Sequence, residues 1–467
     1  MRESRFSSKP EAEESHPVKP QRIRDPLHDL IEFDVGDFDQ GLWGLINTPE
    51  FQRLRHIKQL GFSELVYPGA THSRLLHSVG VFQTARQLSQ IIKSRLSTQF
   101  NSDRSNVALI AALVHDVGHG PFSHAFESSL KQLDKLTGAK HENRHEIWTA
   151  EIIRGDTTLG SKLENFFGKE IREAVATLLL QETPTDIYSA IVSSQFDADR
   201  LDYVRRDRMM TGAQHGGFDF SWLMANLEVD QVTFATDGET YATVDTLVLG
   251  SKAFQAAESY VLGLFHLYFA VYFHKTTRSA EKMLTAILVR LGQLILDGAT
   301  EKSGLPKEHP MVQFIKGRDL TSYLRLDDTV IWGCLPFLEN APDEVISSLA
   351  KRLHHRELYK AIDVSERFDA DEASKAKFRM KLAEAKAGGE FDEFDFFEDT
   401  ASRNPYKRRG YDTPEALSKV LIRTSSNSYE DLAARSKVVE ALKEKTVYRV
   451  YARDSDIYNK IKGILGD

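Results

Sequence analysis

Histidine is concentrated in one part of this 467-residue chain. Seven of its 16 histidines fall within a stretch that makes up less than a sixth of the sequence: His72, His77, His115, His119, His124, His141 and His145. Imidazole is a common transition-metal ligand and an efficient proton carrier near neutral pH. The set therefore predicts a metal or acid–base site, although any single member could equally be an ordinary core or surface histidine.

The pair His115–Asp116 lies near the end of the stretch 105–117, which is apolar on nearly every side and predicts a buried helix. Taking both groups into the interior costs several kcal/mol unless they are paired or ligated. Adjacent helical residues point about 100° apart, but at a helix end both can reach one ion if other helices supply further ligands. His77 and Asp199 would complete a set that suits Fe, Mn, Zn or Mg and leaves room for water and phosphate.

The segment FDADRLDYVRRD, residues 196–207, places four polar groups on one helical stripe. These groups, at i, i+4, i+7 and i+8, are Asp199, Tyr203, Arg206 and Asp207. The stripe can present a metal ligand, a hydroxyl, a cation and a second carboxylate to one pocket. The alternative, a ladder of surface ion pairs, stays open.

Helical periodicity dominates from Asp25 onward and predicts a mainly α-helical fold. Residues 49–60, PEFQRLRHIKQL, predict a helix of about three turns that starts at Pro49. Strand patterns are few: a small β-hairpin over 229–244, centred on Asp237-Gly238, and a strand over 446–452.

Composition divides the chain into four parts. Residues 1–21 predict a disordered tail, and residues 22–363 predict the helical core. Residues 364–412 are charged, contain Gly388-Gly389 and the run EFDEFDFFED, and predict a mobile segment. Residues 413–467 predict a small C-terminal α+β region.

Composition also excludes several classes of protein. The single cysteine, Cys334, excludes an internal disulfide and a Cys-rich zinc site. The longest nearly apolar stretch, 260–273, is too short to cross a bilayer. A formal net charge of −8 argues against nucleic acid as the main partner. Because the N-terminus lacks the apolar region of a secretion signal, we expect a cytoplasmic protein that does not enter a membrane.

Eight segments together resemble the HD-domain phosphohydrolases, in particular the deoxynucleoside triphosphate triphosphohydrolases typified by the human sterile-alpha-motif-linked enzyme. They are DPLHDLIEF (25–33), TPEFQRLRHIKQLG (48–61), YPGATHSRLLHSVG (67–80), ALVHDVGHGPFSHAFE (112–127), RHE (144–146), DADRLDYVRRD (197–207), YFHK (272–275) and HHRELYKAI (354–362). An HD pair alone is weak evidence, whereas HDxGHGPFSH together with FQRLRxIKQLG is specific. The resemblance implies an HD-domain helical core that hydrolyses a deoxynucleoside triphosphate to deoxynucleoside and inorganic triphosphate.

The resemblance also implies a metal centre and a set of catalytic groups. A divalent transition metal (Fe, Mn, Zn or Ni) would be bound by His77, His115, Asp116 and Asp199, and a second Mg or Mn ion would arrive with the substrate. The groups beside the triphosphate would be His119, His124, Glu127 and His145. Metal-activated water would attack the α-phosphorus, and His124 would protonate the departing 5′-oxygen.

The substrate contacts implied by the resemblance fall into three groups. The triphosphate would be held by Arg74, Arg200, Tyr203 and Lys275. The sugar 3′-hydroxyl would be held by Gln59 and Asp207. The wall that leaves no room for a ribose 2′-hydroxyl would be Leu60 and Tyr272, although plain core packing would explain these two equally well. Deoxyribose should therefore be accepted and ribose rejected, with little choice among bases.

The family's regulatory nucleotide site is matched only in part. The matching residues are Gln52, Arg55, Arg356 and Lys360. Asn47 stands where the family reads guanine with an aspartate, so we expect little dependence on GTP. Leu264 stands where the family has an arginine that contacts the triphosphate, which predicts partly rewired phosphate contacts. The resemblance further implies a homo-oligomer, either a dimer, a tetramer or a larger assembly.

Two alternatives stay open. The chain could hydrolyse another nucleotide or nucleic-acid phosphate ester, or it could be a regulator whose HD site senses a nucleotide without turning it over. The presence of His119, His124 and His145 favours catalysis, because a pure sensor needs only phosphate ligands.

Overall fold

The structure is a computed structural model that describes residues 19–236, 240–368, 371–404, 406, 417–424 and 428–466. These residues confirm the predicted mainly α-helical fold with small β elements. The helices are α1 (Asp37–Ile46), α2 (Pro49–Gln52), α3 (Arg74–Leu96), α4 (Ser102–Val114), α5 (His124–Thr137), α6 (His145–Arg154), α7 (Thr158–Phe167), α8 (Lys169–Leu180), α9 (Ala198–Thr211), α10 (Phe220–Ala225), α11 (Phe254–Leu267), α12 (Lys275–Leu296), α13 (Pro310–Gly317), α14 (Leu320–Tyr323), α15 (Asp328–Leu338), α16 (Glu344–His354), α17 (Glu372–Ala387), α18 (Leu432–Arg435), α19 (Lys437–Ala441) and α20 (Ser455–Leu465).

Nine strands form three sheets in the described part of the chain. The strands are β1 (Gln21–Asp25), β2 (Asp29–Phe33), β3 (Leu227–Thr236), β4 (Thr240–Leu249), β5 (Lys360–Asp363), β6 (Phe396–Arg403), β7 (Leu421–Arg423), β8 (Tyr429–Asp431) and β9 (Lys445–Ala452). Strands β1 and β2 pair antiparallel, and the other sheets have the orders β3-β4-β7-β8 and β5-β9-β6. The predicted hairpin corresponds to β3 and β4, although its turn, Asp237-Gly238, lies outside the described residues, and the predicted strand 446–452 is β9.

Two large apolar cores organise the helices. The first is built around α3, α4, α9 and α11, and the second around α5, α12, α13, α15 and α16. The predicted buried helix is α4, whose residues Ala108–Val114 are almost fully inaccessible, and it ends just before His115. The HD pair therefore begins the connection that leads from the first core into α5 of the second.

The predicted three-turn helix over 49–60 is shorter than expected. Helix α2 continues as a tight 3₁₀ turn only to His56, and Ile57 is extended. The backbone explains this ending, because the Ile57 carbonyl accepts from the Arg74 amide and the Gln59 amide donates to the His72 carbonyl. These non-local bonds replace the helical bonds that local periodicity predicted.

The region predicted to be mobile contains ordered elements. Helix α17 buries Phe378 and Leu382, and β6 pairs along its whole length with β9. The C-terminal strands also pair with strands of the predicted core, since β7 pairs with β4 and β9 pairs with β5. Residues 1–18 of the predicted tail lie outside the described residues, and Gln21 begins β1. The division into four parts stays a prediction.

No single helix within the described ranges is long and apolar enough to cross a bilayer. The segments Ser251–Tyr272 and Lys275–Leu296, bent by 57° at the break between them, pass that test of length and composition only when taken together.

Candidate active site

The four predicted metal ligands lie together. The Nε2 atom of His77 is 2.9 Å from Asp199 Oδ1 and 3.9 Å from Asp116 Oδ2. The Nε2 atom of His115 is 3.2 Å from Asp116 Oδ1 and 3.9 Å from Asp199 Oδ1. Two carboxylates and two imidazoles form a donor set that fits a divalent transition metal. We call these four residues the HD cluster.

Three helices position the HD cluster. His77 lies one turn into α3, whose N-terminus is capped by the Ser73 hydroxyl. The end of α4 presents His115 and Asp116, and the first turn of α9 presents Asp199. Helix α3 packs against both α4 and α9, so burial of its apolar side chains also sets the spacing of the ligands.

A buried ionic network fixes the orientation of His77. Its Nδ1 atom lies 2.9 Å from Asp202 Oδ2. Asp202 also accepts from Arg206 and lies 2.8 Å from His28 Nε2, and Arg206 donates to Asp25 over 2.9 Å. Arg206 was expected to face the pocket, but its side chain is fully buried, because its i,i+4 partner Asp202 and the distant Asp25 together neutralise it.

The pKa shifts of the HD cluster follow from burial and from opposing charge. Burial lowers the pKa of His77, but its hydrogen bonds to Asp199 and Asp202 outweigh burial and raise that pKa to about 10. Burial raises the pKa of Asp116, but the Arg74 guanidinium, His115 and His119 hold it well below its usual range. Arg74 donates to Asp116 Oδ2 over 2.5 Å and to Ser123 Oγ over 2.8 Å. The cluster therefore keeps its carboxylates ionised, as metal ligands require.

The predicted catalytic groups form a second cluster around Glu127. Its Oε1 atom lies 2.9 Å from His145 Nδ1, 3.5 Å from His124 Nδ1 and 3.7 Å from His119 Nδ1. The rings of His119 and His145 stack with centroids 3.8 Å apart. His119 Nε2 lies 3.3 Å from Asp116 Oδ1, so the Glu127 cluster adjoins the HD cluster.

Two histidines of the Glu127 cluster, His119 and His145, have pKa values shifted in opposite directions. Burial, Arg74 and His145 lower the pKa of His119 well below its usual value. Burial also lowers the pKa of His145, but its hydrogen bond to Glu127 reverses this effect and raises it. The pKa values of these two stacked rings are thus shifted in opposite directions. His124 is 73% exposed and is free to meet a substrate.

The loop between α4 and α5 is held by side chains from elsewhere in the chain. Phe122 and Ser123 adopt positive φ values of 52° and 55°, which are strained for residues other than glycine. Asp328 compensates by accepting from the Phe122 amide over 2.7 Å. Arg53 donates to the carbonyls of Val117 and His119. These contacts fix where His119 and His124 point.

Two cavities lie beside the clusters, one lined by His124 of the Glu127 cluster and the other by His115 and Asp199 of the HD cluster. The first, of about 340 Å³, is walled by Tyr203, Tyr268 and Tyr272 and is called the tyrosine cavity here. The second, of about 410 Å³, contains Arg144 and Arg200 and is called the arginine cavity. Besides Tyr203 and Tyr272, five predicted site residues line the tyrosine cavity: Gln59, Leu60, Arg74, His124 and Asp207. His115, His145 and Asp199 line the arginine cavity.

Both residues predicted to hold the sugar line the tyrosine cavity, and one of them already has hydrogen-bond partners within the protein. Gln59 Oε1 is buried and has no hydrogen-bond partner among the described residues. Asp207 lies 2.8 Å from His72 Nε2 through one oxygen and accepts from the Tyr272 hydroxyl over 2.7 Å through the other. The orphan acceptor on Gln59 is a feature that a ligand hydroxyl would satisfy.

Two of the predicted triphosphate contacts lie away from the tyrosine cavity. Arg200 lines the arginine cavity and donates to Asp197 and to the Ser194 carbonyl. Lys275 is exposed at the start of α12 and lines neither cavity.

The predicted regulatory residues form two separate groups. Arg55 donates to Gln52, and both Asn47 and Gln52 donate to carbonyls of α1. Arg356 donates to the Leu65 carbonyl, and Lys360 donates to Ser455. Within the described part of the chain, no hydrogen bond or ion pair joins the two groups.

Two protein-family models match this chain. A model described as HD domain matches residues 74–204, and one described as HD associated region matches residues 239–305. The chain is 31% identical to an uncharacterized protein of Bacillus subtilis, YwfO, over 92% of this chain and 91% of that protein. The chain belongs to the HD-domain phosphohydrolase family.

Two further proteins are similar to this HD-domain phosphohydrolase, one in structure and one in sequence. A crystal structure described as a phosphohydrolase from Bacteroides thetaiotaomicron superposes with a TM-score of 0.69 at 25% identity, covering 93% of this chain and 99% of that one. A Dictyostelium discoideum protein named as a homolog of the deoxynucleoside triphosphate triphosphohydrolase SAMHD1 is 29% identical over 73% of this chain. The chain spans 60% of that relative's length.

Several residues of this HD-domain phosphohydrolase site escaped the sequence analysis. Asp202 lies within the quoted segment 197–207, and its i,i+4 spacing from Arg206 was the available signal for an ion pair. Asp328 contacts the loop after α4 across 206 residues and Arg53 contacts it across 64 and 66 residues, and no local pattern predicts such contacts.

Proposed function

We propose that the chain hydrolyses deoxynucleoside triphosphates to deoxynucleoside and inorganic triphosphate in a metal-dependent reaction. The observation that carries this proposal is the contact between the HD cluster and the Glu127 cluster, 3.3 Å from Asp116 to His119. It puts acid–base groups beside candidate metal ligands, which is the arrangement that hydrolysis of a phosphate ester requires. The name of the Dictyostelium relative supplies the substrate class.

A metal held by His77, His115, Asp116 and Asp199 would supply Lewis acidity, polarising a phosphoryl oxygen and acidifying water. The chain's own residues would divide the remaining work. Glu127 raises the pKa of His145 and lies close enough to orient His124, which opens onto the tyrosine cavity. His124 is therefore our candidate to protonate the 5′-oxygen, with His119 and His145 positioning the water and the α-phosphate.

The nucleoside would occupy the tyrosine cavity. The orphan Gln59 Oε1 would accept from the sugar 3′-hydroxyl, and Asp207 has lone pairs left for the same group despite its two internal partners. Leu60 and Tyr272 would form the wall at C2′. A ribose hydroxyl buried there without a partner would cost about 1–3 kcal/mol.

A second Mg or Mn ion with the substrate, a homo-oligomeric assembly and a regulatory nucleotide site belong to the same proposal. The regulatory residues Gln52 and Arg55 already contact each other, and assembly of several chains would have to bring Arg356 and Lys360 to them. Asn47 lacks the carboxylate that would read guanine. We therefore expect activity without added GTP.

The test is to incubate the protein with each dNTP, NTP and dNMP under several divalent metals and to separate the products. We expect triphosphate from several dNTPs, much less from NTPs, and none from the Asp116→Ala variant. Asp103→Ala, which removes an exposed carboxylate of α4, is the matched control and should stay active. Turnover of dNMPs or of another phosphate ester alone would favour the first alternative, and tight nucleotide binding without turnover would favour a sensor.

A further inference from the structure

Arg403, at the end of β6, carries a charge that the described residues do not neutralise. Its guanidinium carbon lies 4.4 Å from the centre of the Tyr268 ring. Its Nε atom is buried and has no hydrogen-bond partner in the described part of the chain. A buried donor is normally paired, so an unpaired one indicates that water or a ligand accepts from it.

The other cations around the two cavities are already paired. Arg74 bonds Asp116, Arg200 bonds Asp197, and Asp399 accepts from both Arg278 and Lys282. The net charge of each of these groups is therefore small. Arg403 differs because it contacts an aromatic ring and has no ion pair within the described structure, and a ring attracts a cation without neutralising it.

The position of Arg403 relates it to the candidate active site. Tyr268 is part of the wall of the tyrosine cavity, where its ring lies 4.9 Å from that of Tyr272. Arg403 also lines a gap of about 20 Å³ together with Arg200 and Leu264. Arg200 in turn lines the arginine cavity, beside Asp199 of the HD cluster. Arg403 is thus next to the place where a phosphate chain would run from the HD cluster toward Arg200.

We propose that Arg403 binds the terminal phosphates of a nucleoside triphosphate, an inference that rests on the proposed function and extends it to the C-terminal sheet. A guanidinium binds phosphate through two parallel N–H···O bonds, so the unpaired Nε would find an acceptor in the phosphate. Leu264, which faces the same gap, is apolar and supplies no charge. The cation that binds the end of the triphosphate would then be Arg403 of β6, because α11 has the apolar Leu264 at this gap.

The test compares Arg403→Gln and Arg403→Lys with the wild-type protein. We expect the glutamine variant to raise the KM for dGTP and the Ki of inorganic triphosphate at least about tenfold, because a charge-assisted pair is lost. The Ki of deoxyguanosine, which has no phosphate, should not change. Lysine should restore part of the triphosphate affinity, since it keeps the charge but not the two-donor fork. Arg379→Gln, which removes an exposed guanidinium bonded to Glu398 of the same strand, is the matched control.

Unchanged KM and triphosphate affinity in a folded Arg403→Gln variant would overturn the inference. Equal loss of affinity for deoxyguanosine and for triphosphate would also overturn it, since it would indicate a structural role. If the wild-type protein hydrolyses no dNTP, the proposed function fails, and calorimetric binding of inorganic triphosphate decides the inference separately. Weaker binding by the variant then supports it and equal binding overturns it. Should the glutamine variant not fold, Arg403→Lys is compared with the wild type instead: a smaller rise in the Ki of triphosphate supports the inference, and an unchanged Ki overturns it.

Discussion

The Nδ1 atom of His77 lies 2.9 Å from an Asp202 oxygen, which leaves the Nε2 atom of the same ring facing the carboxylates of Asp116 and Asp199. This hydrogen bond fixes the ring orientation that a metal-binding histidine needs, and it would keep a proton on Nδ1 when a metal replaces the one on Nε2. Arg206 and His28 hold Asp202 in place, so buried residues of the protein, and not the bound metal, set the orientation of the His77 ring.

Replacing Asp202 with asparagine should weaken metal binding by about 10- to 100-fold, because the amide is neutral and orients His77 less strongly. The measurement is the affinity for Mn²⁺ by calorimetry on protein that melts cooperatively. Asp103→Asn, on the exposed first turn of α4, is the matched control and should bind as the wild type does. Wild-type affinity in a folded Asp202→Asn variant would show that the pair does not support the metal.

Removal of the His124 side chain should lower kcat by about 10²–10⁴ while the metal content stays unchanged. The reason is that His124 contacts Glu127 and the tyrosine cavity but none of the HD cluster. His141→Ala is the control, because this partly exposed histidine pairs with Asp134. A kcat equal to that of the wild type would transfer the proton-donor role to another group, with His119 the first to test.

Glycine is required at position 80 by close packing. A Cβ atom there would lie 2.1 Å from Arg206 Nη2 and 2.3 Å from Asp202 Oδ1, so Gly80→Ala must break the buried network. We expect a loss of about 3 kcal/mol or more in the free energy of unfolding, measured by urea denaturation. Gly333→Ala, in α15 with no atom within 4 Å of the added carbon, should be neutral or slightly stabilising. Equal stability of the two variants would refute the packing argument.

The stability of the loop after α4 should depend on pH through Asp328. Burial raises its pKa to about 6, despite the amides of Lys58 and Phe122 that donate to it. The folded protein therefore binds a proton that the unfolded chain has lost, and the free energy of unfolding should fall by at most about 3 kcal/mol as pH rises from about 4 to 6. Asp328→Asn should reduce this slope, although Asp197, whose pKa burial also raises to about 6, adds a slope of the same sign. An unchanged slope in the variant would assign it to other groups.

Sequence reasoning named many residues that the structure brings close together, because their signals are local. The HD pair lies at the end of an apolar helix, and Asp199 lies in the first turn of a helix with a clear polar stripe, so spacing and resemblance together named four candidate ligands whose side chains lie together in the structure. Helix α4 and the β3–β4 hairpin followed in the same way from patterns within about twenty residues.

The sequence was less informative where distant segments meet. Arg206 and Asp25 are 181 residues apart, and only the folded core shows that their ion pair turns Arg206 away from the pocket. Helix α2 ended early because residues 57–59 bond to the segment before α3. Arg403 was not singled out at all, since no spacing relates β6 to the tyrosine wall.

The most direct test of the central claim is to follow dGTP hydrolysis in ¹⁸O-labelled water with Mn²⁺ and to identify both products by mass spectrometry. Attack of water on the α-phosphorus breaks the bond to the 5′-oxygen. We therefore predict unlabelled deoxyguanosine and inorganic triphosphate carrying one ¹⁸O atom. Release of dGMP with pyrophosphate, of dGDP with phosphate, or of labelled deoxyguanosine would contradict the account.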